Sequence, residues 1–83
     1  MALTTFGQDF KAANRLTATQ VAALDEMSAI GNNGRVETDA DAVDLLNVYV
    51  EMSTRTRNSL WNRGLIDERG LTGHGHDVLM AHI

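Results

Sequence analysis

Residues 53–76 read STRTRNSLWNRGLIDERGLTGHGH, and the punctuation of the whole chain follows from them. Ser53 and Thr54 carry hydroxyls suited to capping a helix start. A basic helix follows, with Arg55, Arg57 and Arg63 on it and Leu60 as its apolar anchor. Gly64 ends that helix, since glycine takes the left-handed conformation at a helix C-terminus without steric cost. Leu65 and Ile66 form a short apolar run, Asp67-Glu68-Arg69-Gly70 a turn, and Leu71-Thr72 the entry to another helix. With Leu60 at the buried centre, helical periodicity turns Ser53 and Thr56 inward as well. Arg57 and Trp61 share a flank at i, i+4, where guanidinium can stack on indole. Arg55, Asn58 and Asn62 point outward, with Thr54 and Ser59 at the margins, and this outer face contains no acidic residue.

The succession of a polar helix, Arg63-Gly64-Leu65-Ile66, a tight turn, Leu71-Thr72 with Gly75, and a last helix resembles a known pattern. It is similar to the recognition helix, wing and following helix of small winged-helix regulators. The MarR-like group and the compact regulators of phages and mobile elements belong to these. The resemblance covers residues 53–76 and is weak elsewhere. It implies a mostly α fold, a winged helix-turn-helix with a short two- or three-stranded wing. One domain would then span residues 1–83, with a helical extension over 1–15, a recognition helix over 53–64 and the wing over 65–71. The function it implies is a non-enzymatic, sequence-specific regulator that binds double-stranded DNA as a homodimer and needs no cofactor.

Upstream of this stretch, residues 1–13 suggest a first helix, with Phe6 and Phe10 on one face at i, i+4. Residues 16–31 form the best-marked helix. Thr17 and Gln20 make a capping box, Leu16 and Val21 a hydrophobic staple, and Val21, Leu24, Met27 and Ile30 an apolar stripe. Gly31 should end it, and Asn32-Asn33-Gly34 should turn. Arg35-Val36-Glu37-Thr38 alternates as a short edge strand would, in a position to pair with the wing. Thr38 or Asp39 caps the next helix, whose crowded start of Asp39, Asp41 and Asp44 suits the helix dipole. Val43, Leu46 and Val50 form its apolar face, with Leu45 and Tyr49 beside it. A turn belongs near residues 47–52, although no glycine marks it. Ser53, Thr56 and Arg57 occupy places where the family has apolar residues, so the next helix either starts late, at Ser53 or Thr54, or is fused to this one; the capping hydroxyls of Ser53 and Thr54 favour the late start.

Composition narrows the function. With 83 residues and no cysteine, the chain is one small domain with no disulfide framework and no thiolate metal site. The first ten residues lack the basic and apolar regions of a signal peptide, no run is long enough to cross a bilayer, and a cytoplasmic protein is expected. The net charge of −4 argues against indiscriminate coating of nucleic acid, but the charge is uneven. Residues 35–52 are acidic, and residues 53–69 carry four arginines against Asp67 and Glu68.

The candidate DNA-binding residues are Thr54, Arg55, Arg57, Asn58, Asn62, Arg63 and Arg69. Arginine offers a fork to guanine and asparagine pairs with adenine in the major groove, so Arg55, Asn58 and Asn62 would read bases. Arg57 and Arg63 would sit on phosphate or pack on Trp61, and Arg69, with Arg35 nearby, would hold phosphate. The plainer explanation of the same face is a solvated helix surface. A second function class is a protein-interaction module that docks on a host or partner protein through Asp39, Asp41 and Asp44. Phe6, Phe10, Met80 and Ile83 are the expected dimer contacts, and Trp61 is read as the edge of the core. His74, His76 and His82 read as surface histidines rather than zinc ligands, and no nucleophile–base pair can be discerned.

Overall fold

A computed structural model describes residues 14–83. Among them four helices and one two-stranded hairpin follow in order: α1 (Ala18–Ser28), α2 (Asp39–Glu51), α3 (Thr54–Asn62), β1 (Ile66–Asp67), β2 (Gly70–Leu71) and α4 (Gly73–Ala81). The chain is thus mostly helical with a small antiparallel sheet. The helix expected over residues 1–13 falls outside the described residues, as do Phe6 and Phe10.

Local chemistry fixes where each helix begins. The Thr17 hydroxyl accepts from the Gln20 amide at 3.2 Å, and the Gln20 side chain accepts from the Thr17 amide at 2.9 Å, completing the capping box of α1. Leu16, immediately before it, is buried. The helix is shorter than residues 16–31. It stops at Ser28, with Ala29 as its cap, and Gly31 lies beyond in the left-handed region. Asn33 and Gly34 then take φ values of 53° and 88°, and Asn32 and Arg35 exchange backbone hydrogen bonds across them. Two consecutive positive φ values are what a type I′ hairpin turn demands, and Asn-Gly supplies them at low cost. Helix α2 starts with a second capping box, Thr38 with Asp41.

The connection from α2 to α3 is only Met52 and Ser53. The turn expected over residues 47–52 is therefore helix almost to its end, and the late start of the next helix is observed, with the Ser53 hydroxyl accepting from the Thr56 amide. Ser53 itself is exposed rather than turned inward, and Thr56 is half-buried. Helix α3 closes in a Schellman motif. The Gly64 amide donates to the Trp61 carbonyl and the Leu65 amide to the Leu60 carbonyl, both at 3.0 Å, with Gly64 at φ 72°. The motif carries its usual apolar contact partners, since Leu60 and Leu65 are both completely buried.

The hairpin pairs Ile66 with Leu71 and Asp67 with Gly70. Of the edge strand expected over residues 35–38, only Arg35 makes a bridge, to Gly70, while the Val36 amide donates to the Arg69 carbonyl. The two backbones touch there: a Cβ on Gly70, at φ 108°, would lie 2.0 Å from the Gly34 carbonyl oxygen. The core collects Leu16, Leu24, Met27, Ile30, Leu45, Val48, Leu60, Leu65, Ile66, Leu71, Val78 and Leu79. Helix α1 is its hub, packing on α2, α3, α4 and β2.

One expectation about the core is overturned. Val43, Leu46 and Val50 do not face it; they are 59%, 61% and 71% exposed. Leu45 and Val48 are buried in their place, with Tyr49 and Met52 packed beside them. The helix is turned by roughly half a revolution from the expected setting, because apolar faces on opposite sides of it compete and the tertiary contacts select one.

Candidate nucleic-acid interface

Helix α3 is held from several sides. Leu60 plugs it into the core, and the Gln20 side-chain amide donates to the Ser59 hydroxyl at 3.1 Å, linking it to α1. Arg57 donates to the Tyr49 carbonyl at 3.2 Å, which satisfies one of the acceptors at the end of α2. The bond ties two consecutive helices together. Arg63 donates to the Arg15 carbonyl at 3.0 Å, joining the end of α3 to the segment before α1. Trp61 remains 45% exposed, more open than an edge-of-core position suggested.

With those ties in place, Thr54, Arg55, Asn58 and Asn62 are exposed on α3. They form the part of the predicted set that the structure brings together on one helix. Arg57 and Arg63 lie on the same helix and its cap, half-buried, with guanidinium donors already given to backbone carbonyls. Arg69 is exposed at the hairpin turn, where its guanidinium donates to the Val36 carbonyl at 3.2 Å. Glu68, beside it, is exposed as well.

Sequence reasoning missed the network behind the hairpin. Arg35 forms an ion pair with Asp67 at 2.6 Å, an internal partner that the sequence reading did not name. The same Asp67 oxygen accepts from the Arg69 amide at 2.8 Å. The Tyr49 hydroxyl donates to the Asp67 carbonyl at 2.5 Å, so α2 and the hairpin are pinned together. Burial, helped by the nearby Asp67 carboxylate, pushes the Tyr49 phenol up to about 12. The pairing of residue 35 with residue 70 was the signal that could have found the ion pair, since it brings Arg35 beside Asp67 across the sheet.

The acidic candidates separate. Asp39 and Asp44 are exposed. Asp41 is turned back on its own helix, accepting from the Glu37 and Thr38 amides at 3.1 Å each. The Glu37 amide leads in holding its carboxyl below the usual carboxylate range; partial desolvation opposes this and the Thr38 amide and hydroxyl reinforce it. Met80 and Ile83 are exposed at 45% and 70%. His82 is half-buried rather than a surface residue: its Nε2 accepts from the Leu16 amide at 3.2 Å and its Nδ1 donates to the Val78 carbonyl at 2.9 Å. Among the described residues no helix is long and apolar enough to cross a membrane.

Compared with protein-family models, with curated proteins and with solved structures, the chain matches none.

Proposed function

We propose that the chain is a winged-helix domain that recognises a short double-stranded DNA site as a transcriptional regulator, with α3 as the recognition helix and the β1–β2 hairpin as a minimal wing. The observation that carries this reading is the outer side of α3. In a chain of net charge −4 it is free of carboxylates, exposes Thr54, Arg55, Asn58 and Asn62, and is backed by the fully buried Leu60. Donors and acceptors on a stiff frame suit readout of base edges, because ordering costs are met by folding rather than by binding. Arg55, Asn58 and Asn62 then carry base contacts, Thr54 and Arg69 phosphate contacts, and Arg57 and Arg63 hold the helix in its setting. The exposed Met80 of α4 and Ile83 just beyond its end are the proposed dimer contacts, and a dimer would add to the small surface that one short helix offers DNA.

Selection of purified protein on random duplexes at low and at moderate salt tests the reading. A single enriched motif that persists at moderate salt is the expected result, because an acidic protein gains little from non-specific phosphate attraction. Failure to enrich any motif overturns it. Sedimentation of the free protein at high micromolar concentration reports the dimer, and a monomer there removes that part.

A further inference from the structure

The outer side of α2 carries a feature the DNA reading does not use. Val43, Leu46 and Val50, with Asp39 one turn before them, stand at helical spacing on the side opposite Leu45 and Val48. Isolated exposed apolar residues are ordinary, but three in register along one helix are the pattern of a helix that meets another helix. The stripe contributes nothing to the core, since α2 is anchored by Leu45 and Val48 with Tyr49 and Met52 beside them. Asp39 stands at its start and Asp44 and Glu51 along one flank, all exposed, and no basic residue occurs on α2.

We propose that this stripe is a docking surface for a partner protein that presents a basic amphipathic helix. Its apolar residues would cover Val43, Leu46 and Val50, and its flanking lysines or arginines would face Asp39, Asp44 and Glu51. Charge selects this occupant over two others. A second copy laid on the same face would set the carboxylates of one α2 against those of the other, a like-charge juxtaposition that disfavours pairing. Residues 1–13 of the same chain bring Asp9 and Lys11, which cancel and offer no positive excess. The stripe shares no residue with the exposed polar face of α3, so the two surfaces can be tested separately.

The test uses the full chain and a fluorescent synthetic helix of leucine, alanine, lysine and arginine with its leucines at a, d spacing. Anisotropy should show binding, at least tenfold weaker for a scrambled peptide of the same composition and for the Leu46→Ser/Val50→Ser protein. Leu46→Lys keeps a good helix former and serves as a second variant, with the same loss and an unchanged melting temperature. Asp44→Lys/Glu51→Lys should weaken binding tenfold as well. A photoreactive benzoylphenylalanine in place of Leu46 should crosslink to the peptide. No binding, equal binding of the scrambled peptide, or equal binding by both stripe variants overturns the proposal. So does a crosslink from position 46 to residues 1–13 or to a second copy in preference to the peptide.

Discussion

Helices α2 and α3 are neighbours separated by two residues, yet they divide their side chains in opposite ways. Helix α3 is strongly polar and has a single buried residue, Leu60, with no part of its surface exposed to water. Helix α2 is rich in valine and leucine and buries only Leu45 and Val48. It leaves Val43, Leu46 and Val50 in solvent. The amount of apolar side chain on a helix therefore does not set how firmly it is seated. What seats α3 is the coincidence of Leu60 with the Schellman motif, which places Leu65 in the core next in sequence. What sets the rotation of α2 is tertiary contact: Leu45 and Val48 enter the core, and the Tyr49 hydroxyl and the Arg57 guanidinium tie the end of the helix to Asp67 and α3.

The sharpest way to break this contrast is a pair of leucine truncations. Leu60→Ala should cost about 2–5 kcal/mol, the range for emptying a well-packed core site. Leu46→Ala, of the same chemistry on the more apolar helix, should stay within about 0.5 kcal/mol because nothing packs on it. Denaturant melts of both variants decide the matter; equal losses would mean that α2 sits with its other face inward.

Next in size is the functional contrast. Arg55→Ala should cost on the order of 1–3 kcal/mol in binding the selected duplex and relax preference at one base pair, with no change in melting temperature. A uniform loss across all sequences would assign Arg55 to phosphate instead. Smaller still is the tie between α2 and the hairpin. Tyr49→Phe removes the hydroxyl that donates to the Asp67 carbonyl, and about 0.5–1.5 kcal/mol should go with it. The phenol's folded value of about 12 lies above its ordinary 10.0, so the bond's contribution is complete below pH 10 and fades as pH rises toward 12. Alkaline melts of wild type and Tyr49→Phe should therefore converge over that interval.

The smallest effect concerns the α2 cap. Asp41 is held below its ordinary 3.8, so its contribution is present above that pH and is lost as pH falls below it. Asp41→Asn keeps an acceptor and drops the charge. It should be slightly less stable at neutral pH, with the gap closing in acid below 3.8. A gap that persists there would show that side-chain shape, and not charge, makes the cap.

What the amino-acid sequence determined by itself are the features closed within a few residues. The Thr17–Gln20 box, the Ser53 and Thr72 caps, the Gly64 stop and the Asn33-Gly34 turn are all legible, because each bond joins groups that the local backbone brings together. Leu60 as an anchor was legible for a related reason: its helix offers no competing aliphatic side chain. The setting of α2 was not, since Val43, Leu46 and Val50 satisfy helical periodicity as well as Leu45, Val48 and Met52 do. Asp39, one turn before Val43 on the same side, was the available hint, because turning that face inward would draw a carboxylate toward the core. The destinations of Arg35, Arg57 and Arg63 also needed the tertiary structure. Long flexible cations find backbone carbonyls or carboxylates wherever folding delivers them, and Arg35 reaches Asp67 across 32 residues of chain. Those partners come within reach only once the helices and the hairpin have packed on one another.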